Sequence, residues 1–294
     1  MTSTKHIAII YNPNSTGDSE GKAKKLKTYL AANLAESSVT LMPTKHAGHA
    51  EELAFTHAKQ HKKSLIISAS GDGGYHEVVN GAMRAAADGA QPVCAVLPAG
   101  NANDHRSDIA ELPLRKSIVE GNVKTIDLLE IEIRSGRKTT KRYGHSYLGL
   151  GLTPTVAIEL NRHSLSALRE AWIVVRSFYK FRPFKIKVGD ELLILDSLII
   201  SNIGRMAKVL SFERSDLDDG KFEVIIFPHG HKLLLLAKLI RAALSTLKPD
   251  HRATEYTFEV LAKTPIQIDG EITELNAGDS VTVRSRPKAL STLL

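Results

Sequence analysis

Residues 64–81 read Ser-Leu-Ile-Ile-Ser-Ala-Ser-Gly-Asp-Gly-Gly-Tyr-His-Glu-Val-Val-Asn-Gly. An apolar, β-branched run ends in a cluster of glycines, and beyond it apolar residues recur at helical spacing through position 87. This reads as a strand (64–68), a tight turn and a helix (75–87). The alternation extends both ways, with strands over 6–11, 38–42 and 93–97 and helices over 21–34 and 49–61. Continuous apolar strands alternating with helices predict a doubly wound parallel sheet with helices on both faces. In such open sheets ligands bind beyond the carboxyl ends of the strands, so the strand-to-helix loops are where chemistry is sought.

Four loops lie there: Asn12-Pro-Asn-Ser-Thr-Gly17, Pro43-Thr-Lys-His-Ala-Gly48, Ala69-Ser-Gly-Asp-Gly-Gly74 and Pro98-Ala-Gly-Asn-Ala-Asn-Asp104. Glycine turns at a helix N-terminus let backbone N–H groups approach a phosphate, and the helix dipole favours its charge. Tight turning alone explains any one of these loops. Four on one sheet edge, one with an Asp between glycines, point to a nucleotide phosphate site. Neither a G-x-G-x-x-G fingerprint nor a G-x-x-x-x-G-K-[ST] loop is present.

The chain has 294 residues, a formal charge of +7 and 43% hydrophobic residues, which excludes a disordered tail. That length fits two domains, or one α/β domain with large insertions. The single cysteine, Cys94, lies in an apolar strand, so no internal disulfide forms. No signal-peptide pattern opens the sequence, and a cytoplasmic location is expected. The apolar runs at 192–200 and 233–237 are shorter than the roughly 20 residues that span a bilayer, and the first contains Asp196. The basic balance favours an anionic partner. Aromatic content of 5%, with no cluster of aromatic and basic residues, argues against a nucleic-acid partner.

From Asn122 the pattern changes to closely spaced strands, which sets a boundary near Gly121 and predicts domains at 1–121 and 122–294, with a return of the C-terminal tail to the first domain as an alternative. Strands are expected over 123–133, 142–150, 184–188, 192–202, 222–227, 255–261, 265–269 and 280–284, a mostly antiparallel second domain. A helix over 164–181 is expected, and another over 229–247 carries Lys232, Lys238 and Arg241 beside a leucine run. The second suits either an anionic bilayer or packing on the sheet. Asp216-Leu-Asp-Asp-Gly-Lys221 is a carboxylate cluster of the oxygen type that Mg²⁺ prefers, or a solvated acidic turn. Asp269-Gly-Glu271 follows a strand and reads as a turn or as a reactive hairpin. The twelve histidines show no spacing that fits zinc.

Ser70-Gly-Asp-Gly-Gly74, followed by Glu77-Val-Val-Asn-Gly81, resembles the Gly-Gly-Asp-Gly-Thr signature and following helix of the diacylglycerol kinase catalytic-domain family, which includes bacterial lipid kinases and sphingosine kinases. Asn12-Pro13, Thr44 with His49-Ala50, Leu97-Pro-Ala-Gly100 with Asn103-Asp104, Tyr147-Leu-Gly-Leu-Gly151, Asp218-Asp-Gly220 and Asp269-Gly-Glu271 match in the family's order. The resemblance implies an ATP-binding α/β domain and a β-sandwich-like lipid-binding domain, with the active site in the cleft between them. It implies transfer of the γ-phosphate of ATP to the hydroxyl of diacylglycerol or a related lipid alcohol, with peripheral membrane contact.

Asn12, Ser15, Thr44, Gly71, Asp72, Gly73, Gly74, Glu77 and Asn101 would line the ATP site. Glu271, with Asp269 and Asp72 as further candidates, would supply the catalytic carboxylate. Asp219 and the main-chain carbonyls of Asp216 and Lys221 would hold Mg²⁺. Three positions depart from the family pattern: its first Gly is Ser70, its signature Thr is Gly74, and the Thr of the fourth loop is Asn101. Its Phe-Ala-Arg after Asn-Asp is His105-Arg106-Ser107. A catalytically weak or silent relative, and an NAD kinase through Thr153-Pro-Thr155, are the competing expectations. Neither the particular lipid nor the oligomeric state is written in the sequence.

Overall fold

The computed structural model describes residues 5–15, 17–100, 103–152, 182–206, 210–211, 213, 216–230, 246 and 248–294. The chain forms two compact units, one of Met1–Leu128 with Pro287–Leu294 and one of Leu129–Arg286. The expected helix over 164–181, nearly all of that over 229–247, and Thr153-Pro-Thr155 lie outside the described residues.

The first unit alternates β1 (His6–Tyr11), α1 (Ser19–Asn33), β2 (Ser38–Pro43), α2 (His49–Gln60), β3 (Leu65–Ser70), α3 (Asp72–Ala87) and β4 (Val93–Pro98), then α4 (Asp104–Ile109) and α5 (Leu114–Glu120). Its strands are parallel in the order β2-β1-β3-β4. Isoleucines 7, 9 and 67 and Leu65 on the strands pack with Leu26 and Leu30 of α1. Helices α1 and α5 pack together, as do α2 and α3. Gly81 makes the second pairing possible: a Cβ there would lie 2.2 Å from the Glu51 carbonyl oxygen. This is the doubly wound α/β architecture that the alternation predicts. Cys94 is free and fully buried, and burial pushes its thiol up to about 12.

Helix α3 differs from its predicted start. The glycines assigned to the turn lie inside its first turn, because Gly71 takes the N-cap position and Asp72 begins the helix. An acidic residue there is favourable against the positive end of the helix. The short helices α4 and α5 carry too few turns to leave a periodic signal.

The second unit is built from β5 (Val123–Ser135), β6 (Lys138–Gly144), β7 (Tyr147–Gly151), β8 (Phe184–Val188), β9 (Glu191–Ser201), β10 (Arg205–Met206), β11 (Leu210–Ser211), β12 (Phe222–Pro228), β13 (His251–Ala253), β14 (Glu255–Val260), β15 (Thr264–Ile268), β16 (Glu271–Leu275) and the first part of β17 (Ser280–Leu293). Neighbouring strands run antiparallel in the order β16-β15-β7-β9-β8-β14-β17. β12 also pairs with β9 and with β13, and β5 with β6. Leu148, Leu150, Leu198, Ile200, Phe222, Phe258 and Ile266 lie in its core. Asp196, inside the apolar run of β9, is buried and meets His229 Nδ1 at 2.9 Å.

The single strand expected over 142–150 is two. β6 ends at Gly144 and β7 starts at Tyr147, because the N–H groups of His145, Ser146 and Tyr147 turn onto the Asp269 carboxylate. β17 runs nine residues beyond the expected end at 284, past Pro287 and a left-handed Lys288, whose N–H donates to Asp127 at 2.7 Å.

Candidate active site

At the carboxyl edge of the first unit's sheet, glycine lets the loops touch backbone to backbone. A Cβ on Gly17 would lie 2.0 Å from the Ala99 carbonyl oxygen, and one on Gly100 would lie 2.3 Å from the Gly71 Cα. The first, third and fourth loops are therefore in contact, and any larger residue at 17 or 100 would push them apart. Lys22 Nζ adds a bond of 2.9 Å to the Pro98 carbonyl, and the Ala99 N–H donates to the Ser70 carbonyl at 2.9 Å.

Two carboxylates splint these loops. Asp72 accepts the N–H groups of Asp104 (3.1 Å) and His105 (3.3 Å) at the start of α4. Glu77 accepts those of Gly48 (2.8 Å) and Ala50 (3.0 Å) at the start of α2. Each carboxylate satisfies amides that the helix ladder leaves unpaired, through charge-assisted bonds stronger than neutral ones. Both residues were expected to line an ATP site; in the structure each carboxylate holds the backbone of a neighbouring loop. Within α3 the first intrahelical bond is Tyr75 N–H to the Gly71 carbonyl, at 3.1 Å. The amides of Gly73 and Gly74 precede it, in the turn where a helix binds anions.

The remaining expected ATP residues occupy the same edge. The Asn12 side chain caps its own loop by accepting the Asn14 N–H at 2.9 Å, and Ser15 Oγ accepts the Ser19 N–H at 3.3 Å. The Thr44 N–H donates to the Tyr11 carbonyl at 2.8 Å. Asn101 lies outside the described residues.

Two departures from the family signature turn out to be neighbours. A Cβ on Gly74 would stand 2.6 Å from both Cβ and Oγ of Ser70. The Ser70 hydroxyl donates to the Gly71 carbonyl at 2.9 Å and meets Ser68 Oγ at 2.7 Å. Where the family has Gly then Thr, this chain has Ser then Gly, and its one side chain fills the space beside position 74.

In the second unit, Asp269 and Gly270 form the turn between β15 and β16, both at positive φ (47° and 94°). Asp269 is buried, with its carboxylate accepting N–H groups from His145 (2.8 Å), Ser146 (2.9 Å) and Tyr147 (3.1 Å). The His145 ring, itself fully buried, has Nε2 3.6 Å from the same carboxylate and Nδ1 2.8 Å from Ser146 Oγ. Glu271, two residues on, opens β16 and is exposed. The two acids thus differ: one is buried and bonded to backbone amides, and the other is exposed.

Asp216, Asp219 and Lys221 are exposed ahead of β12, and Asp219 Oδ1 accepts the Lys221 N–H at 2.9 Å. One carboxylate oxygen is thereby used in shaping the turn. Among the described residues, one group of three metal-capable side chains comes together, His46, His49 and Glu52, with ligand atoms within 4.8 Å. Its sequence spacing gave no sign of it. Yet the Lys45 N–H donates to His49 Nδ1 at 3.0 Å, which places the ring proton on Nε2 and leaves His49 no free lone pair.

Sequence reasoning passed over Lys22, and it quoted Gly17 and Gly100 within their loops without giving either a role. A glycine just ahead of the helix N-cap, on a loop already suspected of binding phosphate, is the signal that could have found the first close approach.

The profile of the diacylglycerol kinase catalytic domain matches residues 6–131. Over that stretch the chain is similar to the diacylglycerol kinase catalytic-domain family. It is 26% identical to the diacylglycerol kinase of Bacillus subtilis (strain 168) over 308 aligned residues, covering 95% of this chain and 94% of that one. To the sphingosine kinase 1 of Rattus norvegicus it is 26% identical over 205 aligned residues, 63% of this chain and 50% of that one. Among solved structures, a diacylglycerol kinase from Bacillus anthracis str. Sterne aligns with 100% of this chain and 98% of its own at a TM-score of 0.72 and 17% identity. A yeast NADH kinase aligns with 99% of this chain and 83% of its own, at a TM-score of 0.56 and 11% identity. These likenesses establish the fold, which this chain shares with both structures. Among the described residues no helix is long and apolar enough to cross a membrane.

Proposed function

We propose that this protein is an ATP-dependent lipid kinase that transfers the γ-phosphate to the hydroxyl of diacylglycerol or a related lipid alcohol. The observation that carries the reading is the meeting of Gly17 with Ala99 and of Gly71 with Gly100, which leaves a cradle edged by the first-turn amides of α3. Phosphoryl transfer depends on positioning and charge stabilisation, and such a cradle supplies both. Asp72 and Glu77 hold the loops in shape.

In the step proposed, the lipid hydroxyl oxygen attacks the γ-phosphorus as the bond to the β-bridging oxygen breaks, and ADP leaves. The hydroxyl proton passes to Glu271, whose exposed carboxylate suits a general base. Asp269, with three amides on its carboxylate, anchors the turn that carries Glu271. The oxygen-only donors at 216–221 fit a hard cation: Asp219, with the carbonyls of Asp216 and Lys221, would hold Mg²⁺, which disperses phosphate charge when bound. The lipid is met by peripheral contact at the cytoplasmic face of a membrane.

The test is incubation with labelled ATP, Mg²⁺ and a panel of lipid alcohols. Lipid phosphorylation well above that of Glu271→Ala is expected. ATP or lipid binding without turnover would instead identify a silent relative. Because the fold is shared with a yeast NADH kinase, NAD belongs in the panel, and phosphorylation of NAD with no lipid product would replace this reading.

A further inference from the structure

The opposite edge of the first unit carries a second concentration of chemistry. A cavity of about 830 Å³ opens at the amino ends of β1, β3 and β4. Lys5, His6, His61, Lys62, Lys63 and Ser64 line it, and no acidic residue does. The three ammonium groups have no ion-pair partner among the described residues, whereas four other lysines of this unit, Lys24, Lys59, Lys116 and Lys124, each meet a carboxylate. The His6 and His61 rings stack at 3.9 Å between centroids.

Charge compensation of the fold does not account for this set. The last turns of α2 and α3 reach the cavity, and each helix C-terminus carries about half a negative charge. Together they offset about one of the three lysines, leaving roughly two positive charges uncompensated. A separate observation concerns Ser64, which lines the cavity: it is 1% exposed, and its Oγ has no hydrogen-bond partner among the described residues. A buried hydroxyl without a partner is costly unless something else supplies one.

We propose that this cavity binds a phosphomonoester, with the lysines meeting the dianion and the Ser64 hydroxyl donating to one of its oxygens. This site lies at the opposite end of the strands from the glycine cradle and does not depend on the kinase reading. A free phosphorylated metabolite and the head group of an anionic lipid share the chemistry.

The ring signals of His6 and His61, followed by NMR on the full chain, report on the cavity. Titration with glycerol 3-phosphate is expected to shift them saturably, with a dissociation constant of about 1 mM or tighter. The affinity falls at least tenfold in Lys62→Glu/Lys63→Glu, a double change at exposed positions, and three- to tenfold in Ser64→Ala. Asp72→Asn, at the other edge, leaves it unchanged. Sedimentation with vesicles containing phosphatidic acid separates the two sources: capture lost in the double variant places the phosphate on a lipid, and binding of glycerol 3-phosphate without capture places it in solution. Ring shifts matched by sodium chloride at equal ionic strength, or unaltered in both variants, would overturn the proposal.

Discussion

Position 74 carries no side chain, and the reason is position 70. A threonine introduced at 74 would bring its Cβ to 2.6 Å from the Ser70 Cβ, which cannot swing away as a flexible tip would. Gly74→Thr alone is expected to cost about 1–3 kcal/mol by overpacking, measured by urea denaturation. Ser70→Gly/Gly74→Thr should recover most of that loss, so the two changes are strongly non-additive. The acids of the β15–β16 turn separate in the same way. Asp269→Asn replaces a carboxylate that holds three amides and should destabilise by about 2–3 kcal/mol. Glu271→Gln, on an exposed side chain, should change stability by less than about 0.5 kcal/mol while lowering lipid phosphorylation by roughly 10²-fold or more. Denaturation and turnover measured on both variants distinguish anchor from base. The sequence marked all of these residues through the family resemblance. It did not show that Asp72, Glu77 and Asp269 grip backbone, because their amides lie 32 to 33, 27 to 29 and 122 to 124 residues away.

Among the elements, α2 depends on a residue outside itself. Its N-cap is Gly48, without a side chain, and Glu77 of α3 does the capping from the neighbouring helix. Glu77→Ala should cost about 1–2 kcal/mol and raise amide hydrogen exchange at Gly48 and Ala50. The other end of α2 is sensitive to acid. His57 is 4% exposed, and burial first, then the nearby His61 and His6, push it down to about 4 from the ordinary 6.5. A histidine held neutral in the folded state binds fewer protons than it does unfolded. Its penalty is absent above pH 6.5, grows as pH falls from 6.5 to about 4, and levels off below, reaching roughly 3 kcal/mol at most. His57→Phe keeps a ring there and should flatten the stability profile over that window. Long elements with clean periodicity, such as β1, α1 and β3, were legible from the residues alone. The break at His145 and Ser146 was not, since both belong to a run with strand-like composition that an aspartate over 120 residues away interrupts.

On the scale of the whole molecule, the first unit is assembled from two separated stretches of chain. Residues 287–294 join the 128 that open the sequence, and Ser291 and Thr292 run parallel to Val93 and Cys94 of β4. Arg106 donates to the Leu293 carbonyl at 2.9 Å and Ser117 to that of Leu294 at 2.7 Å, while Leu290, Leu293 and Leu294 are buried. Part of the His105-Arg106-Ser107 departure from the family pattern thus serves to clamp this returning strand. Pro287 and the polar residues around it conceal the strand from a periodicity reading, which stops at 284. Removing residues 289–294 takes three buried leucines, each worth about 1.5–3 kcal/mol, from a fold whose total stability is of the order of 5–15 kcal/mol. The shortened chain should be largely unfolded or aggregated in the first unit, seen as lost helical circular dichroism and rapid proteolysis within residues 5–128.

That interleaved connectivity sets an order of events on the ribosome. The α/β half is translated first yet lacks its fifth strand until codon 292 has been read, so the β-rich half emerges and begins to organise while its predecessor waits with an open edge beside β4.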